Sequence, residues 1–107
     1  MGLFDGFRRP DFDGELARYR ETPGAVLLDV RAPQEYAGGH VPGSQNVPLN
    51  QLPRQIGALV PDLGTPVFVY CLSGARSSRA AALLRRMGYE TVTNIGGISG
   101  YQGKVER

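Results

Sequence analysis

The sequence predicts a three-layer α/β sandwich, with a mostly parallel sheet of four or five strands flanked by helices. Three observations carry that expectation. Two nearly continuous apolar runs of strand length, Ala25-Val26-Leu27-Leu28-Asp29-Val30 and Val67-Phe68-Val69-Tyr70, have the pattern of strands covered on both faces. Ala80, Leu83, Leu84 and Met87 recur at i, i+3, i+4 and i+7, the stripe of an amphipathic helix. Strand-like and helix-like segments alternate along the chain, which favours parallel pairing. At 107 residues the chain is one domain's worth of protein, able to bury about two-thirds of its unfolded surface.

Taken in order, residues 1–10 read as a polar lead and 11–107 as a single domain. Asp11 is placed to cap a helix running to about Glu21, with Phe12, Leu16 and Tyr19 on its apolar face. Thr22-Pro23-Gly24 ends it, and the first apolar run follows as a strand. Pro33 starts a short helix through Tyr36 that Gly38-Gly39 terminates. Gly39 to Ser44 is turn material, leading to a short strand around Gln45–Val47. A helix near Gln51–Leu59 must accommodate Pro53 in its first turn, and Gly57 loosens its end. The second apolar run enters after Thr65-Pro66. A helix is then expected from about Ser77 to Gly88, a β-branched strand over Thr91–Ile95, and a short tail opened by Gly96-Gly97.

Composition excludes several classes. Hydrophobic residues make up 41% and charged residues 21%, which fits neither a disordered nor a membrane protein. The balance of 12 basic and 10 acidic residues, net +2, gives no argument for nucleic-acid binding. Met1 to Gly6 lacks the charged and apolar regions of a signal peptide, and Gly6 stands where a myristoylation signal requires Ser or Thr. With no apolar run near the roughly 20 residues that span a bilayer, the expected setting is the cytoplasm, with the chain acting as a monomer. Charge is unevenly spread: seven of the ten acids precede residue 36, whereas Leu63–Tyr89 contains Arg76, Arg79, Arg85 and Arg86 and no acid. The local field there favours anions.

That basic segment surrounds Cys71, the only cysteine. A lone thiol excludes an internal disulfide or a multi-cysteine zinc site, and it fits a reducing compartment. A buried strand ends at Cys71, Leu72-Ser73-Gly74-Ala75-Arg76 turns, and a helix begins near Ser77. Ligands of open α/β sheets bind at the carboxyl ends of strands. A loop wrapped around the sulfur aims its own N–H groups, and those of the first helical turn, at that atom. Such a cradle stabilises a thiolate, and equally a persulfide. Gly74 permits the positive φ of a tight turn, and Arg76 adds a planar cation. A free cysteine after a strand is commonly a small buried hydrophobe; the Gly, the Arg and the helix start that follow it favour a reactive thiol.

Three groups of residues in fixed order carry a resemblance. They are Leu28-Asp29-Val30-Arg31…Glu35-Tyr36…Gly39-His40-Val41-Pro42-Gly43-Ser44…Asn46-Val47-Pro48, then Cys71-x-Ser73-Gly74-x-Arg76-Ser77, then Asn94-Ile95-Gly96-Gly97-Ile98. Over most of residues 11–103 the chain resembles a single-domain rhodanese, a sulfurtransferase module. The resemblance implies that Cys71 takes a sulfane sulfur from a donor such as thiosulfate and passes it to cyanide, a thiol or a partner protein, by double displacement and without cofactor or metal. It implies an anion cradle from the amides of Leu72, Ser73, Gly74, Ala75, Arg76 and Ser77, with Arg76 orienting the donor's sulfonate. A second reading is a persulfide carrier or interaction module serving a larger sulfur-transfer system. Phosphatases sharing this fold resemble Cys-x5-Arg. The spacing here, Cys71-x4-Arg76, makes a smaller ring suited to a single sulfur atom, and the loop offers no general acid.

Asp29 and Arg31 fall at the carboxyl end of a strand and are read as supporting residues. Asp29 is expected to bond loop amides, and Arg31 to pair with Glu35 four residues on. Glu35 stands near a point where two-domain thiosulfate enzymes tend to carry a basic residue. His40 is read as scaffold rather than as a base, Tyr101 as packing, and Ser73, Ser77 and Ser78 as loop and cap hydroxyls.

Overall fold

Residues 11–107 are described by the structure, a computed structural model; the expectations placed on residues 1–10 lie outside the described residues. The elements run α1 (Phe12–Arg20), β1 (Val26–Asp29), α2 (Pro33–Gly38), β2 (Gln45–Asn46), a 3-10 turn (Leu49–Gln51), α3 (Leu52–Leu59), β3 (Val67–Cys71), α4 (Ala75–Arg86), β4 (Val92–Gly97) and a second 3-10 turn (Ile98–Gly100). The sheet has four strands in the order β2-β1-β3-β4, all parallel.

Side-chain alternation along the two central strands explains their unbroken apolar character. Leu28 of β1 and Val67, Val69 and Cys71 of β3 face one core, completed by Leu52 and Ile56 of α3 and Ala80, Ala81 and Leu84 of α4. Leu27, Phe68 and Tyr70 face the other, closed by Phe12 and Leu16 of α1 with Val41 and Ile95. Residues one apart on a strand point to opposite faces, so a strand between two helical layers must be apolar at every position. Tyr70 keeps its hydroxyl satisfied, accepting the Val41 N–H at 3.1 Å and bonding Ser44 Oγ at 3.1 Å.

Several boundaries differ from the expectations. Asp11 occupies the position before α1, but its side chain makes no capping bond; its backbone carbonyl accepts the Glu15 N–H instead. The cysteine-loop helix starts at Ala75, two residues before Ser77, because Gly74 takes φ +106 and turns the chain directly into the first helical turn. Gly96-Gly97 does not open a tail; the pair completes β4, with Gly97 in register with Cys71. The register shifts between Val69 and Tyr70, where Gly96 adopts φ +97. Among the described residues, no helix is long and apolar enough to cross a membrane.

Candidate active site at the Cys71 loop

Cys71 is the last residue of β3, and its side chain is 1% exposed. Three groups reach its sulfur. The Gly74 N–H points at Sγ from 3.0 Å and the Ser77 N–H from 3.3 Å, while Ser77 Oγ lies 3.5 Å away. The two amides belong to the turn and first residues of α4, whose N-terminus carries the positive end of its dipole. Burial pushes the thiol up. The Ser77 hydroxyl and the N–H groups of Ser77, Gly74 and Ser73 together outweigh it, and Cys71 lies below the ordinary thiol value. Of the six amides expected in the cradle, those of Gly74 and Ser77 stand within hydrogen-bond distance of the sulfur.

The loop rests on β4. Gly97 lies so close beneath it that a Cβ there would overlap the Leu72 carbonyl oxygen and stand 2.6 Å from the Ser73 Cα. Leu72's carbonyl also accepts the Ser99 N–H at 3.2 Å. Ser77 Oγ, fully buried, reaches the carbonyls of Gly74 at 3.1 Å and Gly96 at 3.4 Å, tying loop, helix and strand together. Ala75 and Leu72 are exposed, and Leu72 projects outward at 45% exposure.

The charged residues pair differently from the expectation. Arg31 does not meet Glu35. It folds back on Asp29, Nη2 to Oδ2 at 2.7 Å and Nε to Oδ1 at 3.0 Å, and also donates to the Gly39 carbonyl at 2.7 Å. Residues 31–35 leave a strand and enter a helix only at Pro33, so the i,i+4 geometry of a continuous helix is absent, whereas the side chain two residues back lies within reach. Asp29 takes one amide, that of Arg31, at 2.9 Å. Glu35 instead binds Arg76 of the loop, Nη1 to Oε1 at 2.7 Å and Nη2 to Oε2 at 3.0 Å, and Oε1 accepts the Ala32 N–H at 3.0 Å. This bidentate guanidinium pair holds the Glu35 carboxyl down to about 2. The pair spans 41 positions and is visible only once β1 and β3 are known to be neighbours.

His40 serves the scaffold: its ring stacks on Tyr36 at 3.6 Å, Nδ1 lies 2.8 Å from the Tyr36 carbonyl, and its backbone pairs with Glu106. Tyr101 packs against Phe12. Clefts flank the loop on both sides. One, of about 630 Å³, has Val30, Pro33, Pro48, Leu49 and Arg76 in its wall; the other, of about 730 Å³, holds Asp11, Ser73, Gly74 and Gly97. Among the described residues, no three of His, Cys, Asp and Glu converge to hold a metal ion.

The family model for the rhodanese-like domain matches residues 13–104. The chain belongs to the rhodanese-like family. Similar rhodanese-family proteins include the thiosulfate sulfurtransferase PspE of Escherichia coli (strain K12), 42% identical over 71 residues that cover 66% of this chain and 68% of that protein. The thiosulfate sulfurtransferase GlpE of Stutzerimonas stutzeri (strain A1501) is 37% identical over 83 residues, covering 78% and 74%. A solved rhodanese from E. coli with anions superimposes with a TM-score of 0.73 at 36% identity, over 78% of this chain and 98% of that one. The rhodanese-like domain described here shares with such structures its parallel sheet and flanking helices.

Proposed function

We propose that this protein is a sulfurtransferase that carries a sulfane sulfur on Cys71 as a persulfide. The observation that carries the reading is the pair of N–H groups of Gly74 and Ser77 aimed at a buried Sγ from the start of α4. They stabilise negative charge on the thiolate before attack and on the terminal sulfur of a persulfide after it. The Cys71 thiolate attacks the outer sulfur of thiosulfate, the S–S bond of the donor breaks, and sulfite leaves with the electron pair. Cyanide or a thiolate then attacks the outer sulfur of the persulfide and regenerates the Cys71 thiolate. No general base is required, since the cradle already favours the ionised sulfur. A phosphatase-type reaction is disfavoured: Arg76, the loop's only cation, is held by Glu35 rather than turned over the sulfur.

The test is intact mass after incubation with thiosulfate, glutathione persulfide or a cysteine desulfurase. The expected result is a gain of one sulfur atom that Cys71→Ser abolishes. Absence of the adduct with all three donors overturns the reading. A protein acceptor is the second reading, favoured by Leu72 standing exposed beside the buried thiol. It predicts a persulfide that forms readily, discharges slowly to cyanide, and discharges faster to a partner protein recovered with the loaded domain.

A further inference from the structure

Arg76 is the only basic side chain of the loop, and it borders a cleft whose other lining side chains are apolar or uncharged. Its guanidinium does not stand free, because both Nη atoms donate to Glu35, which the Ala32 N–H holds in place. Arg31, the other arginine at a strand end, is committed to Asp29 and the Gly39 carbonyl. The cleft on the far side of the loop contains the Asp11 carboxylate and no basic side chain. Among the described residues, then, neither cleft beside the Cys71 loop is lined by an unpaired cation.

We propose that Glu35 is the charge-selectivity residue of this site. By masking Arg76 it disfavours a compact inorganic dianion and favours a sulfur donor whose apolar organic body seats against Val30, Pro33, Pro48 and Leu49. The inference rests on the reading of Cys71 as sulfur carrier. Glu35 acts through Arg76 and is thus a positioning residue. The cleft's volume, about 630 Å³, is of the size that holds a small organic molecule.

Two donors separate charge from chemistry. Thiosulfate delivers its outer sulfur to the Cys71 thiolate and leaves as sulfite; benzenethiosulfonate, a monoanion with an aryl body, delivers the same sulfur and leaves as benzenesulfinate. Cyanide accepts the sulfur in both cases, and the thiocyanate formed is measured. Glu35→Gln keeps the side chain's size and removes the negative charge that neutralises the guanidinium. The ratio of kcat/KM for thiosulfate to that for benzenethiosulfonate is expected to rise about tenfold, mainly as a lower KM for thiosulfate, the scale of one newly unpaired charge facing a dianion near water. Glu35→Ala must move the ratio in the same direction, and Glu35→Gln combined with Arg76→Gln must return it to the wild-type value. An unchanged or lower ratio overturns the inference, and so does a gain that persists without Arg76. If the wild-type protein turns over neither donor, this inference falls, while the sulfur-carrier reading is decided separately by the intact-mass adduct on Cys71.

Discussion

Replacing Ser77 with alanine removes the hydroxyl that lies 3.5 Å from Cys71 Sγ while leaving both amide donors in place. In the thiol form the S–H donates to Ser77 Oγ, whose own proton goes to the Gly74 carbonyl. On ionisation that proton must turn to the sulfur, so the hydroxyl supports the thiolate specifically. A hydrogen bond to a charged group contributes about 1.5–3 kcal/mol, and a long contact to sulfur belongs at the lower end. With one pKa unit equal to about 1.36 kcal/mol, Ser77→Ala is expected to raise the Cys71 midpoint by about one unit. The assay is the rate of alkylation by iodoacetamide against pH, read by mass. The wild-type midpoint should fall below 9.0, the ordinary value from which Cys71 is lowered. At any pH below both midpoints the variant should react about tenfold more slowly. A variant midpoint equal to or lower than the wild type's would refute the assignment of Ser77 as a thiolate donor.

Gly97→Ala drives a Cβ into the Leu72 carbonyl and Ser73. Overpacking of this kind costs about 1–3 kcal/mol, so a lower Tm and at least a severalfold loss of persulfide formation are expected. Arg31→Ala strands the fully buried Asp29 carboxylate. Urea denaturation should show a loss of about 3–5 kcal/mol, the cost of breaking a buried pair from one side. The Glu35 carboxyl is lowered from 4.5 to about 2 by its bond to Arg76. Its contribution to stability is therefore fully present above pH 4.5 and disappears as the pH falls through about 2, because the unfolded chain takes up the proton first. The difference in urea midpoint between wild type and Glu35→Gln should accordingly be constant from pH 7 to 5 and shrink below pH 4.5.

The layered architecture could be anticipated because it is written in local pattern. An unbroken apolar strand announces two covered faces, and a 3.6-residue stripe announces one. The cysteine loop was equally local, since strand end, Gly74, Arg76 and helix start lie within a few residues. What escaped was whatever depends on neighbours distant in sequence. Arg76 finds Glu35 across 41 positions because β1 and β3 run side by side and release their following segments at the same edge. Gly96-Gly97 reads as a breaker by composition, yet the sheet uses the first for a register shift and the second for a close approach. Arg31 shows the opposite failure: a local rule was available, but it was a helical rule applied where the backbone was leaving a strand.

The chain as it stands already has one reporter atom. With a single cysteine in 107 residues, every thiol-specific reagent reads one site without engineering. Because that sulfur is 1% exposed, a bulky reagent can reach it only when the loop opens. Comparing a small alkylating agent with a large one therefore separates two quantities usually confounded, the ionisation of the sulfur and the frequency with which the surrounding structure lets anything in. The size dependence of labelling becomes a measure of how far the loop must move for sulfur to be delivered and taken away.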